Sequence, residues 1–421
     1  MATLDNLPSK EVTIIGSGII GICCALSLLK RGITVRLIEK SSIEEAASFG
    51  NAGVVSPWSC IPQSVPGIWK KVPGMLLDAD GPLNIHPLHA LKFLPWGIRF
   101  LRAGNSLEKV EKTSIAMNAL SAPSIDLYQQ YLNGTRFGHL LKESWAIHAH
   151  RHSDAVSLSD LGVKFRLNLG AEIEIATEQE LQQLEPALSR DFKAALLIKE
   201  QARTVNPGML VEVLSKKAKE LGADFQSASV QRVTPTDDQH WLLHTDTGTL
   251  SCEKVVIAAG ANSMNLLQPL GFHLPLERER GYHVEFNNPQ VTLQHSVMDA
   301  EFKFISSSME GGLRSAGTAE FSGAKVKPNF KRASLLKKLT KKMLPDLQED
   351  QSTQWMGVRP SFPDSLPCLC ELPQHQGLFT AFGHSHYGLS MAPGTGEVLA
   401  DLITNTVPAM NLNPYHPDRF R

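Results

Sequence analysis

The run Gly16-Ser17-Gly18-Ile19-Ile20-Gly21 constrains this chain more than any other feature, because it joins a short apolar strand, Val12–Ile15, to an apolar helix. The next strand, over 34–38, ends in Glu39. Gly16 allows the tight turn out of the first strand, and Gly18 lets backbone amides approach a pyrophosphate with no Cβ in the way. Gly21 lets the helix pack close on the sheet, and the turn through Ile20 presents the positive helix end to phosphate. The Glu39 carboxylate accepts both hydroxyls of an adenosine ribose and repels a 2′-phosphate, which disfavours NADP and leaves FAD or NAD. Lys40, its neighbour, is placed at the same end. A glycine run alone occurs in many loops; strand, glycines, helix, strand and acid in this order carry the dinucleotide reading together. The stretch 12–29 is long and apolar, but its glycines, Thr13, Ser17 and Ser27 mark it as a soluble core element, not a membrane span or signal peptide.

A length of 421 residues suffices for two domains, and 42% hydrophobic with 20% charged content excludes a disordered chain. With 41 basic against 42 acidic residues, no general attraction to nucleic acid is expected. Cys23, Cys24, Cys60, Cys252, Cys368 and Cys370 have neither zinc-site spacing nor the density of a disulfide scaffold. Buried, inert thiols in a cytoplasmic protein are expected, with Cys368 and Cys370 pointing the same way from one strand. No metal site is predicted.

Small residues fill 46–53, a stretch able to lie flat against a cofactor. Prolines from Pro57 to Pro95 exclude one long regular element there. Helical spacing predicts two helices, over 90–102 and 107–132. A strand follows over 194–198, and Asn206-Pro207-Gly208 opens a helix over 209–221 that ends at Gly222. Strands are predicted over 225–233, 241–245 and 250–259, the last ending in Ala259-Gly260, where a ligand crosses such a sheet. A strand over 378–382 leads to Gly383-His384-Ser385-His386-Tyr387-Gly388, and a terminal helix is expected from about 395 to 405. Nucleotide-domain elements at both chain ends imply an inserted substrate domain. The expected division is 1–88, 201–270 and 354–421 for the nucleotide domain, with 89–200 (including helices) and 271–353 for the substrate domain.

These blocks resemble FAD-dependent amine and amino-acid oxidoreductases of the D-amino-acid oxidase superfamily, and within it the D-amino-acid dehydrogenases. The resemblance spans nearly the whole chain and is most specific at 355–367 and 383–396. It implies an α/β, α+β two-domain fold: a Rossmann-like FAD-binding domain with an inserted, mainly antiparallel β-sheet substrate domain. It also implies that Ser48, Asn51, Ala52 and Gly53 lie along the flavin, and that Val230 brackets the adenine. Ala259 and Gly260 would pass near the pyrophosphate. Gly357 and the loop His384, Gly388, Leu389, Ser390 and Met391 would meet the flavin, backbone amides of the loop stabilising negative charge on its pyrimidine edge. No cysteine matches the covalent attachment site of the sarcosine oxidase branch, so FAD is expected to be non-covalent.

Arg359, in a Gly-x-Arg-Pro segment, is the residue the resemblance assigns to the substrate carboxylate, which a guanidinium binds bidentately. The alternative is an internal ion pair with Asp364 or another acid. Tyr282 and His283 are candidates for a second carboxylate bond and for taking a proton, although strand alternation turns at most one of them to the site. His384 and His386 are further proton-transfer candidates. Arg280-Gly281-Tyr282-His283 and His384-Ser385-His386 look more like the branch acting on cyclic imino acids such as D-proline or D-hydroxyproline.

The expected reaction is oxidation of a CH–NH bond by hydride transfer to flavin N5, giving an imine or 2-oxo acid. The acceptor stays open between a quinone or carrier protein and, as in glycine and sarcosine oxidases, dioxygen. A non-catalytic FAD-carrying subunit of a larger complex and a nicotinamide-dependent dehydrogenase are the other readings. The eight basic residues of 325–342 form either a solvated helix face or a docking face for a membrane surface or acceptor protein.

Overall fold

The strand Val12–Ile15 lies inside a six-stranded sheet ordered Cys368–Glu371, Leu378–Phe382, Lys254–Ile257, Val12–Ile15, Val35–Glu39 and Asp224–Ser227, parallel except at the Cys368–Glu371 edge. The computed structural model describes residues 10–40, 42–78, 81–238, 240–324 and 326–421. Both faces of this sheet are covered, so its central strands are largely apolar and each face selects alternate residues. Val12, Ile14, Val35, Leu37 and Val256 pack towards the helices Ile19–Lys30, Pro207–Glu220 and Gly388–Ile403. Ile15, Ile38, Val255 and Ile257 pack against a three-stranded antiparallel meander, Val230–Pro235, Trp241–Thr245 and Gly248–Cys252.

The second sheet has eleven strands, mostly antiparallel, and the chain enters it several times. Its longest ladder pairs Glu277–Asn287 with Ser352–Ser361, in antiparallel register from Glu277↔Ser361 to Phe286↔Ser352. Another pairs Leu141–His150 with Ala194–Thr204. The helix Lys331–Met343 buries Ala333, Leu336, Leu339 and Met343. Its Lys337 and Lys341 donate to the carbonyls of Glu349 and Leu347 at 2.8 and 2.7 Å, bracing the loop that follows. Lys325, first of the basic stretch, lies outside the described residues.

Several elements differ from expectation. The 107–132 span is two helices, Leu107–Ser121 and Ser124–Leu132, because Pro123 has no N–H to continue the ladder. The 225–233 span divides between the parallel sheet and the meander, and the 250–259 span breaks at Glu253. The last helix starts at Gly388, not near 395. Its small residues serve close packing: a Cβ on Gly396 would fall 2.5 Å from the Cys23 carbonyl, and one on Gly394 2.2 Å from that of Leu120. The strand Ser352–Ser361 belongs wholly to the larger sheet, so the chain returns to the parallel sheet after Ser361 and not at 354. All six cysteines are buried and unpaired, with Cys368 and Cys370 Sγ both near Thr380 Oγ1 at 3.4 and 3.6 Å. Among the described residues no helix is long and apolar enough to cross a membrane.

Candidate active site

Where the C-terminal ends of the parallel strands meet the larger sheet, the chain encloses a cavity of about 1310 Å³. That exceeds the roughly 300–1,000 Å³ of an ordinary small-molecule pocket. The glycine turn, 50–52, 258–262 and 383–390 border one end, and strands of the larger sheet border the other.

At the first end, Gly16 takes φ +108° and its missing Cβ leaves room for the Ala258 carbonyl. A Cβ on Gly21 would stand 2.0 Å from the Gly16 carbonyl oxygen, so Gly21 serves helix packing and does not border the cavity. Gly18 differs: a Cβ there would meet only Ser48 Oγ at 3.5 Å, and the space beyond is cavity. The amide of Ile19, first in the helix, donates to Ser48 Oγ at 3.0 Å, while Gly18 at the N-cap has no side chain to cap the amides that follow. Glu39 accepts from the amides of Ser17 at 2.9 Å and Lys40 at 2.8 Å, which fixes its carboxylate beside the turn. Ile20, Lys40, Asn51, Ala52, Val230, Ala259, Gly260, Gly357, Gly388, Leu389 and Ser390 all border the same cavity. An open helix N-terminus for a diphosphate, a carboxylate at the ribose position and a flat small-residue wall fit FAD.

Gly53 and Met391 are exceptions. Gly53 takes φ +84° and packs against the Thr204 carbonyl, its amide held by Asn51 Oδ1 at 2.8 Å. Met391 is fully buried among the helices under the parallel sheet. Both support the wall from behind.

The other end is built on the long ladder. Arg359 pairs with Glu279 across it, and Gly281 with Gly357. Arg359 Nη1 donates to Glu279 Oε1 at 2.8 Å and to the Thr318 carbonyl at 3.0 Å. The same Oε1 lies 2.5 Å from His386 Nε2, and Ser361 Oγ donates to Oε2 at 2.8 Å. Burial alone would raise the Glu279 carboxyl, but His386 and Arg359 outweigh it and hold it near about 2. One buried carboxylate therefore orders an arginine and a histidine that both border the cavity. The acid partner is Glu279; Asp364 pairs with Arg419 at 2.7 Å. Glu279 escaped the sequence reading because its role depends on cross-strand register, which no local motif encodes.

Other candidates are placed differently. Tyr282 borders the cavity, but its hydroxyl donates to Glu320 at 2.9 Å and accepts from the Asn329 amide at 2.8 Å. Its ring packs edge-on to Phe330, and burial raises its pKa to about 12. His283 is turned away: Nδ1 donates to the Gly50 carbonyl at 3.0 Å and the ring stacks on Trp355 at 5.0 Å. Burial, then the Arg314 charge, lowers it to about 3, so it stays neutral. His384 borders the cavity, with Nε2 bonded to Thr395 Oγ1 at 2.9 Å, and burial lowers it to about 3. Arg280 is buried on Glu320 at 3.0 Å and on the carbonyls of Gly323, Val326 and Lys327. Thus the structure brings Arg359, His384 and His386 to the cavity, but neither the Tyr282 hydroxyl nor the His283 ring.

Known proteins resemble this chain along nearly its whole length. A protein named D-amino-acid oxidase from Bradyrhizobium diazoefficiens is 36% identical over 417 residues, covering 98% of this chain and 99% of its own. One named D-amino acid dehydrogenase from Paramagnetospirillum magneticum is 28% identical over 430 residues, covering 97% and 99%. Among solved structures, glycine oxidase from Geobacillus kaustophilus superposes with a TM-score of 0.75 at 23% identity, covering 97% of this chain and 98% of its own. L-proline dehydrogenase from P. horikoshii gives 0.75 at 19%, covering 98% of each. These two show a shared two-domain α/β fold. The family described as DAO, FAD dependent oxidoreductase, matches residues 11–402, and with the cavity, glycine turn and Glu39 already in place, the chain belongs to that family and is an FAD-dependent enzyme.

Proposed function

We propose that this enzyme oxidises the Cα–N bond of a D-amino acid, with Arg359 holding the α-carboxylate. The observation that carries the reading is the Arg359 guanidinium, which borders the cavity, bonds through Nη1 alone among the described residues, and so retains donors for a carboxylate. The names of the relatives at 36% and 28% identity support a D-amino acid as substrate. FAD, when bound, supplies a two-electron acceptor for the hydride leaving Cα. Glu279 fixes the rotamer of Arg359, so the substrate is oriented by a pre-set charge. His386 Nε2 donates to Glu279, which leaves Nδ1 as its nitrogen for accepting a proton from the substrate ammonium. Water then hydrolyses the imine to a 2-oxo acid and ammonia.

The expectation of cyclic D-imino acids rested partly on Arg280, Tyr282 and His283, whose polar groups are bonded within the protein. D-proline and D-hydroxyproline therefore enter as test substrates. Anaerobic titration of the flavin absorbance with D- and L-amino acids, both prolines and both hydroxyprolines tests the proposal. Bleaching by D-substrates alone supports it. An unresponsive flavin, or an Arg359→Ala variant with normal affinity and turnover, overturns it.

A second reading concerns the acceptor, because the relative at 36% identity is named an oxidase and the one at 28% a dehydrogenase. Peroxide release under air identifies dioxygen; turnover with a quinone or dye and no peroxide identifies a dehydrogenase.

A further inference from the structure

A second arginine borders the same cavity with no acid to answer it. Arg166, on the helix Leu161–Asn168, donates from Nε to the Trp58 carbonyl at 3.0 Å and from Nη1 to that of Gly162 at 3.1 Å. Among the described residues no carboxylate pairs with it and no acceptor meets its Nη2. Arg280 is matched by Glu320 at 3.0 Å and Arg314 by Glu285 at 2.7 Å, while Arg278, which also borders the cavity, donates to the Ala261 carbonyl at 3.1 Å and to Asn262 Oδ1 at 3.0 Å. A guanidinium has five donors and does not shed its charge, so two carbonyls leave Arg166 electrostatically unbalanced.

No acid stands among the titratable groups that act on it, Cys60 and Tyr387. Burial raises the Cys60 thiol and the Tyr387 hydroxyl, and Tyr387 donates to the Ile61 carbonyl at 2.8 Å. His148, on the strand Leu141–His150, is pushed well down by burial and then by the charges of Arg166 and Lys303. The acids that border the cavity among the described residues, Glu39, Glu45 and Glu212, stand on segments of the parallel-sheet half. Tyr387 follows directly on His386, which is bonded to Glu279, the partner of Arg359, and Arg359, Arg166 and Tyr387 all border the one cavity.

We propose that Arg166 is a second anion subsite, which takes the side-chain carboxylate of a dicarboxylic D-amino acid, D-aspartate or D-glutamate, while Arg359 takes the α-carboxylate. This rests on the D-amino-acid reading above, and it shifts the substrate class away from neutral and cyclic side chains.

The test uses the FAD-loaded enzyme and two readouts. In the first, succinate and butyrate are titrated against the flavin spectrum. Succinate binds about tenfold or more tightly, as expected for a charge-assisted bidentate contact. Arg166→Met removes that advantage and leaves the butyrate affinity within about twofold, while Arg166→Lys keeps part of it. In the second, D-glutamate exceeds D-glutamine in kcat/KM by a similar factor, and Arg166→Met levels the two.

Equal binding of succinate and butyrate to the unmodified enzyme overturns the subsite. So does an equal loss of both in Arg166→Met, or loss of FAD from that variant, which would assign the guanidinium to the fold or the cofactor. If the succinate advantage holds but no D-amino acid reduces the flavin, the subsite stands and the D-amino-acid reading falls.

Discussion

The guanidinium of Arg359 occupies the space a side chain on Gly281 would need: a Cβ there would lie 2.4 Å from Arg359 Cζ. Glycine at 281 is thus part of the proposed carboxylate site, although it has no functional group to offer. Gly281→Ala is expected to displace the guanidinium while leaving the FAD content unchanged. The KM for the best substrate should rise by about tenfold or more, equivalent to about 1.4 kcal/mol. Steady-state kinetics beside a flavin-to-protein absorbance ratio checks this; unchanged KM refutes the placement of Arg359.

The glycines of the dinucleotide turn separate cofactor binding from folding. Gly18→Ala adds a methyl that meets only Ser48 Oγ at 3.5 Å, so the FAD-free protein should keep its stability to within about 0.5 kcal/mol while FAD affinity drops. Gly21→Ala drives a methyl to 2.0 Å from the Gly16 carbonyl, and about 1–3 kcal/mol or more of stability should be lost. Urea unfolding of both FAD-free variants, with FAD binding by fluorescence quenching, distinguishes them.

Tyr282 tests a buried hydroxyl against a catalytic one. Tyr282→Phe leaves Glu320 Oε2 and the Asn329 amide each short of a partner, and stability should fall by about 1–3 kcal/mol. The kcat/KM should stay within about twofold of the original. A raised KM with unchanged stability would return the hydroxyl to the substrate.

The neutral histidines make stability depend on pH in a defined direction. In the unfolded chain the imidazoles of His283 and His384 take up protons near 6.5; in the fold, burial delays this to about 3. The unfolded state therefore binds more protons in that window, and stability, complete above 6.5, declines as pH falls towards 3. Each histidine contributes a slope of up to about 1.4 kcal/mol per pH unit. Glu279, lowered to about 2 despite its burial by His386 and Arg359, adds a loss in the same direction only below its ordinary value of 4.5. Between pH 6.5 and 4.5, His384→Gln should remove the share due to His384, as read from urea unfolding at stepped pH. An unchanged slope would show that His384 titrates normally.

How much of this was legible in the chain depends on the range of the interactions. The parallel strands at Val12–Ile15 and Leu378–Phe382 are apolar runs, each broken by one threonine and closed by glycine, a local pattern, and Glu39 ends its own strand. The start of the last helix was obscured because glycines used for packing against Cys23 and Leu120 look like loop residues. Arg359 is marked by its Gly-x-Arg-Pro segment, but its partner is set by strand register, and Glu279 is distant in sequence. For Tyr282 and His283, alternation correctly limits how many face the site; it does not say that Glu320 and Gly50 draw both polar groups elsewhere. Arg166 belongs to no motif at all, and only the folded chain sets it beside Tyr387 and His148.

The ladder between Glu277–Asn287 and Ser352–Ser361 has a consequence for how such a chain can vary. Glu279, Gly281, Gly357 and Arg359 hold their mutual geometry through paired backbone, whatever the length of the chain that links the two strands. Only the turns of that connection are therefore places where insertions can accumulate, because its strands pair into the same sheet and its Thr318 carbonyl accepts from Arg359. One residue added or lost inside either strand would instead flip every following side chain to the opposite face. With the change between Ser352 and Arg359, Arg359 would face away from the cavity, and the protein could remain folded yet lack the hold on its substrate proposed above.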